Sequence, residues 1–322
     1  MSVEIYYLRF TSPVRWGSDH DRGSLERAAF TCHSDTLFSA ICNEWMKING
    51  EASLEKLFSS VHDNQFRISD LLPYKEKKCY LPKPDGLYLK KTIPPETFKQ
   101  VKKLDYLSLK DFEQYLMEIF SEDTPLSTYT KPRFVLDYSN TKVNTKGAHS
   151  RPYLVSAYEF LENAGLYFMV DIPENLKAEF LKVMESLQTT GLGGKRSIGY
   201  GQFDLERHVE TETAASETEK ILYRRISEKE GPFMNLSLVL PKPKEVKKIL
   251  DEDCYISLLE RKGFVQPIGL KRKSVTMIQT GSILKEKIEG TLADVSPDQD
   301  KEDQNIPKVY RYGKGFYLGL GI

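Results

Sequence analysis

Hydrophobic and polar positions change their period several times along the chain, and each change marks an element. The opening run VEIYYLRFTSPV is β-branched and aromatic and closes at Pro13, which predicts a buried strand. After a polar loop, RWGSDHDRGSLER, the period lengthens. Leu37, Phe38, Ile41, Trp45 and Ile48 fall on one helical face behind Ser34, the expected N-cap, with Asp35 in the first turn. Pro73, Pro82, Pro84, Pro94 and Pro95 make residues 66–107 read as irregular. Helical spacing returns at 108–120, where Ser108 and Asp111 offer capping groups and Leu109, Phe112, Leu116 and Ile119 form a stripe.

The next segment, KPRFVLDYSNTKVNTKGAHSRP, is rich in turn formers and is expected to be a long protruding loop or hairpin. YLVSAYEFLENAGLYFMVDI predicts two strands around the turn from Glu162 to Gly165. Pro173 then opens a helix with Leu176, Phe180, Val183, Met184 and Leu187 on its inner face and Gly191 as its stop. A last strand starts around Tyr200, Phe203 and Leu205.

That order predicts an α+β protein whose first domain, residues 1–208, is ferredoxin-like (RRM-like, β-α-β-β-α-β), with a thumb-like insertion at about 74–150 and a glycine-rich loop at 191–201. Residues 209–219 read as a polar linker. In residues 220–322 the order partly recurs, with FMNLSLVLP as a strand, KPKEVKKILD as a helix and three further strands, so a second ferredoxin-like domain is expected. GYGQF at 199–203 and YGKGF at 312–316 enter the closing strands alike, and the acidic SPDQDKEDQNIP reads as a hairpin tip without chemistry.

Composition narrows the class. At 322 residues, with 40% hydrophobic and 29% charged residues, the chain has room for two cores and resembles neither a disordered nor a membrane protein. No apolar run approaches the roughly 18 residues of a membrane span and the opening residues lack a signal-peptide pattern, so a cytoplasmic protein is expected. Cys32, Cys42, Cys79 and Cys254 and the scattered histidines lack ligand spacing, which predicts no metal and no cofactor.

Net charge is zero, but its distribution is uneven. Lys131, Arg133, Lys142, Lys146 and Arg151 stand against Asp137 alone; Arg261, Lys262, Lys271, Arg272 and Lys273 form a stretch without an acid, as do Lys308, Arg311 and Lys314. One positive face, or a set of solvated loops, would account for this.

The glycine run TTGLGGKRSIGYGQF fits neither common phosphate motif. A Walker loop requires a glycine where Thr189 stands and a hydroxyl residue where Arg196 stands, and a dinucleotide fingerprint requires a glycine at Arg196 and a helix afterwards. Here a helix precedes and a strand follows, so the helix dipole turns its negative end to the loop. An extended polyanion remains compatible. The N–H groups of Gly191, Gly193, Gly194 and Gly199 can form a nest, Lys195 and Arg196 supply charge, Ser197 a hydroxyl, and Tyr200 either stacks a base or packs inward. Single-stranded RNA matches that chemistry; a helix stop followed by a bulge is the structural alternative.

In order along the chain, HSDTLFSAICNEW, ISDLLPYKEKKCYLPKP, GLGGKRSIGYGQF, IGLKRKSVTMIQTGS and YGKGFYLGLGI resemble the RAMP superfamily of CRISPR proteins, and within it the fourth-subunit family of the type III-A effector, the Csm complex. The resemblance implies a non-catalytic, RNA-binding subunit that holds the repeat-derived 5′ tag of the CRISPR RNA and docks the large polymerase-like subunit and a backbone RAMP subunit. By position, the glycine loop with Lys195 and Arg196 would line the tag, and the loop carrying Lys142, Asn144, Lys146, His149 and Arg151 would be the thumb-like hairpin. That loop departs from the family in having less arginine. Lys271, Arg272 and Lys273 complete the expected RNA-binding set.

The competing class is a metal-independent RAMP endoribonuclease that cuts precursor RNA with His33 as general acid or base. The sequence singles out no second group beside it, and His33 and Asp35 also read as residues of a helix start. A metal-dependent nuclease using Asp19 and Asp21 of the early loop, and a protein-interaction module without RNA, are further alternatives.

Overall fold

The computed structural model describes residues 3–18, 24–87, 91, 93–121, 123–144, 151–210, 216–265, 269–297 and 308–321. Its helices there are α1 (Ser34–Asn49), α2 (Glu51–His62), α3 (Pro95–Lys102), α4 (Leu109–Phe120), α5 (Glu174–Thr190), α6 (Glu217–Ser227) and α7 (Val246–Ile249).

The opening strand, Val3–Phe10, alternates as a strand must. Tyr6, Leu8 and Phe10 enter one core and Val3, Ile5 and Tyr7 another, so the sheet is buried on both faces. This strand lies between Phe203–Glu210 and Ala164–Asp171 in a seven-stranded sheet. Beyond Ala164–Asp171 come Leu72–Lys75, Lys78–Pro82 and Tyr106–Ser108, while Arg67–Ile68 pairs with its far end; every pairing is antiparallel. With α1 and α5 packed on one face, the strand order is that of a ferredoxin-like unit.

One strand of that unit was expected in the wrong place. Residues 66–107 form the pairing partner of Ala164–Asp171, because Pro73 and Pro82 stand where the short ladders tolerate a missing N–H. The segment before Ala164 instead makes Tyr158–Phe160, which pairs with Val135–Asp137 outside the main sheet. Other local expectations hold: Ser108 Oγ accepts the Asp111 N–H at the start of α4, and α5 runs to Gly191 with its five inner residues buried.

The second half is assembled from smaller pieces than the sequence suggested. Phe233–Asn235 lies between Ile283–Leu284 and Tyr317–Gly319, while Leu258–Arg261 pairs with Val275–Ile278 and Gly290–Asp294 with Tyr310–Lys314. KPKEVKKILD gives one 3₁₀ turn followed by the four-residue α7. YGKGF does not reproduce GYGQF: Tyr310–Lys314 is itself a strand, and its Tyr312 is buried in the first-half core, where its hydroxyl accepts the Ile68 N–H. The stretch read as a linker contributes the end of the Phe203–Glu210 strand and the start of α6, whose Ser216 and Glu219 form a capping box; residues 211–215 lie outside the described set. Residues 298–307, most of the acidic tip, lie outside it as well.

The halves meet at the N-terminus of α1. His33, not Ser34, is the N-cap residue, and its side chain makes no cap bond. Asp70 supplies the acceptor, taking the Ser34 N–H at 2.7 Å, while Ser34 Oγ accepts the Leu238 N–H of the second half at 3.0 Å. Asp35, buried, receives Arg261 through Nε at 2.9 Å and Nη2 at 3.0 Å and also Arg311 Nη1. Burial pushes its carboxyl up, but the two guanidinium charges outweigh that and hold it at about 2.

Replacing Asp35 with Asn strands two arginines and should cost about 3–5 kcal/mol in urea unfolding. Because the folded value lies below the ordinary carboxylate value of 3.8, the contribution is complete above pH 4 and is lost as pH falls towards 2. Wild-type stability should therefore drop across that window by about 2 kcal/mol more than that of Asp35→Asn. Equal slopes for the two proteins would remove the carboxylate from the joint.

Candidate nucleic-acid interface

An open ferredoxin-like sheet can present aromatics to RNA, as RRM domains do. This one cannot. Tyr7, Tyr74 and Tyr167 face a core completed by α4, α6, Leu236 and Leu318, and Tyr7 donates its hydroxyl to Glu219 at 3.0 Å. Burial raises the ionisation of Tyr7 and Tyr167 far above the ordinary phenol range, as a dry interior requires. Any nucleic acid is left with loops and edges.

The glycine loop is the first of these. Its shape comes from close backbone approach: Gly201 has φ +79°, and a Cβ there would sit 1.9 Å from Leu192 O; one on Gly193 would sit 2.7 Å from Arg15 O. The N–H groups of Gly191, Gly194, Gly199 and Gly201 are spent on Leu187, Arg15, Arg196 and Pro13 carbonyls. The expected glycine nest is thus closed at those positions: Gly194 and Gly201 hold the loop against the Pro13–Trp16 segment, Gly191 ends α5 and Gly199 closes the short turn. What remains outward is a short 3₁₀ turn, Arg196–Ile198, with Arg196 and Ser197 exposed and Lys195 half-exposed in a left-handed conformation. Neither cation joins an ion pair among the described residues. Tyr200 takes the inward alternative: 8% exposed, it meets Tyr138 edge-on at 6.3 Å.

Tyr138 stands at the base of the expected hairpin, which forms from Asn140–Asn144 and Arg151–Val155. Lys142 lies directly opposite Tyr153, and Val143 is exposed. Lys146 and His149 fall outside the described residues, as do Asp19, His20 and Asp21; Asn144 and Arg151 are placed only as a backbone pair.

A cleft of about 980 Å³ opens on the other side of Trp16, between the halves. Phe30, Tyr106 and Tyr158 contribute rings to it, with Phe30 about 6 Å from each of the others, and Lys83, Lys262 and Lys271 contribute charge. His33 stands in its wall with Nδ1 2.6 Å from Asp70. Asp70 also takes the Ser34 N–H and the Thr280 hydroxyl, so the carboxylate is shared among three donors.

The acid-free segments do not form one positive face. Arg261 and Arg311 turn inward to Asp35, Lys314 is buried against His62 O and Asn64, and Lys131 pairs with Asp105 at 2.7 Å. Acids distant in sequence neutralise the two arginines and Lys131, and neutral oxygens hold Lys314. Lys271 lines the cleft, Arg272 is half-buried and Lys273 is exposed. No group of histidine, cysteine, aspartate or glutamate suited to a metal occurs among the described residues, and no helix there is long and apolar enough to cross a membrane.

The sequence profile of the RAMP superfamily matches residues 7–204. The chain belongs to the RAMP superfamily. A second profile, the CRISPR Csm4 C-terminal domain, matches residues 228–320 of this RAMP protein. Similar relatives are the CRISPR system Cms protein Csm4 of Methanocaldococcus jannaschii, 28% identical with 92% of each chain covered, and that of Mycobacterium tuberculosis, 26% identical with 92% of each covered. A chain in the crystal structure of a Csm3-Csm4 subcomplex of the type III-A interference complex superposes with a TM-score of 0.65 at 19% identity over 99% of both chains. One in a Csm1-Csm4 cassette with cA4 gives 0.60 at 21%, covering 99% of this chain and 98% of that one. These superpositions agree with the mixed α+β fold.

Sequence reasoning missed Asp70, Lys83 and the Phe30 cluster. Asp70 sits in the stretch SDLLP before Pro73, and only folding brings it to His33. The glycine loop gives a local test. Gly201→Ala meets both a left-handed φ and a backbone clash and should lower stability by about 2 kcal/mol or more, whereas Gly199→Ala, with φ +87° and open space around it, should cost only about 1 kcal/mol. Thermal unfolding of the two variants checks this, and equal melting points would show that the loop is not packed as described.

Proposed function

We propose that this RAMP protein is the Csm4-type subunit of a cytoplasmic type III-A CRISPR effector, holding the repeat-derived 5′ tag of the CRISPR RNA and docking the large polymerase-like subunit and a backbone RAMP subunit, without catalysis of its own. The observation that carries the reading is the Lys195–Ser197 tip, which stands outward on a loop anchored to the Pro13–Trp16 segment, with its two cations uncommitted to ion pairs among the described residues. Outward cations near an aromatic cleft suit a single strand, whose phosphates follow charge and whose bases need a surface to stack on. Lys142, Asn144 and Arg151 of the hairpin strands, Lys146 and His149 of the sequence between them, Lys271 at the cleft and Arg272 and Lys273 after it complete the proposed RNA-binding set. Gly191, Gly193, Gly194 and Gly199 serve it by shaping the loop, and Tyr200 by bracing it. The Csm4 relatives support the assignment of the complex, and the solved Csm3-Csm4 and Csm1-Csm4 assemblies support the choice of partners.

A second reading keeps one specific observation: His33 is hydrogen-bonded to a carboxylate in the wall of a cleft, the arrangement a general acid or base uses. Against it, Asp70 has a structural duty in capping α1 and binding Thr280.

Replacing Lys195 and Arg196 together with alanine should weaken RNA binding and reduce the slope of log K against log salt by up to about two. An unchanged slope would take the loop out of the interface. Incubating His33→Ala with repeat-containing precursor RNA should leave RNA retention and complex assembly as in the wild type. If the wild type trims that precursor and the variant does not, while still binding it, the nuclease reading replaces the scaffold.

A further inference from the structure

Arg15 is a cation that the folded chain leaves short of partners. The residue is 9% exposed; its Nη2 donates to Ser24 O at 2.7 Å, and its Nε is enclosed without an acceptor. Nη1 has no partner among the described residues either, and it is not enclosed. No acid there pairs with the side chain, and burial alone depresses its ionisation. The guanidinium stays protonated all the same, at the cost of an uncompensated charge.

The open nitrogen lies beside the glycine loop. A Cβ on Gly194 would stand 3.7 Å from Nη1, and the Gly194 N–H is itself held by Arg15 O at 2.8 Å. Gly194 leads into Lys195, whose left-handed backbone (φ 65°, ψ 23°) is followed by the 3₁₀ turn Arg196–Ile198. Such a succession turns neighbouring N–H groups to one side. Those of Lys195, Arg196 and Ser197 have no acceptor among the described residues. Trp16 Nε1 is enclosed without an acceptor as well, under Gly193, where a Cβ would come within 3.1 Å of it. Donors thus outnumber acceptors along the seam between this loop and the Arg15–Trp16 segment.

We infer that Arg15 is a phosphate-binding residue, and that its guanidinium beside Gly194 takes one backbone phosphate of single-stranded RNA together with the free N–H groups of the adjoining turn. The inference rests on the RNA-holding reading above and adds a buried anchor to the exposed cations of the loop. Held by Ser24 O and by its surroundings, Arg15 has little freedom left to lose on binding. A phosphate is favoured over the carboxylate of a protein partner by what lies around it. A strand continuing past Arg15 finds exposed cations at Lys195 and Arg196 and the aromatic cleft that Trp16 lines, whereas a single carboxylate would use the arginine alone.

The test titrates a short fluorescent single-stranded RNA against the full chain at several salt concentrations. Arg15→Gln is expected to weaken binding about tenfold and to lower the salt slope by about one. Arg15→Lys should keep the slope and lose part of the affinity, since lysine lacks the guanidinium fork. Without RNA, the melting temperature of Arg15→Gln should equal or exceed that of the wild type, because a charge lacking a counter-ion has been removed. With RNA carrying a single neutral methylphosphonate, one position should weaken the wild type and leave Arg15→Gln unaffected. If Arg15→Gln binds with the wild-type slope while the Lys195 and Arg196 double variant is weakened, the Arg15 contact is wrong and the RNA-holding reading stands. Should neither variant change binding, both fail. Lower melting temperatures in both Arg15 variants without a change in slope would make Arg15 a structural tie to Ser24 and overturn the proposal, as would unchanged RNA binding with loss of a protein partner.

Discussion

Asp35 sits where α1 begins and where the second half of the chain arrives, so one carboxylate acts both as the anion at a helix N-terminus and as the counter-charge to Arg261 and Arg311. Position and partners reinforce one another. Pulled out of the helix start, the carboxylate would leave two guanidiniums without it; pulled away from the arginines, α1 would open on an isolated buried charge. Asp70 repeats the arrangement one step away, capping α1 through Ser34 while it receives Thr280 from the second half. The cleft opens beside this joint, with His33, Asp70, Arg261 and Thr280 in its wall.

A second constraint follows from the doubly buried sheet. Once Tyr7, Tyr74 and Tyr167 are covered by α4, α6 and strands of the second half, the broad aromatic surface of an RRM is gone. The loop after α5 and the cleft rim meet at Arg15 and Trp16, and Tyr200 of that loop touches Tyr138. The glycines there serve geometry. Their donors are consumed in holding a stiff loop, so charge has to come from side chains at its tip.

Where local periodicity is strong, the sequence foretold the structure closely. The apolar stripes of α4 and α5, that of α1 as far as Trp45, and the Ser108 cap are visible as residue spacing, whereas Ile48 ends exposed. Strand placement around residues 67–82 was hidden because proline signals irregularity, although a short ladder accepts proline where no N–H is needed. The basic segments misled for a different reason. Charge counted along the chain cannot register that Asp35 lies beside Arg261 and Arg311, or that Asn64 lies beside Lys314, since those pairings exist only after folding. The candidate site was legible in its loops and illegible in its cleft, whose lysines and rings come from segments far apart.

Tyr312 extends this dependence along the chain. Its ring is buried among side chains of the first half, and its hydroxyl is the acceptor for Ile68, 244 residues earlier in the chain. The first core is therefore incomplete until the Tyr310–Lys314 strand is in place, and that strand acts as a latch on packing begun by segments far earlier in the chain.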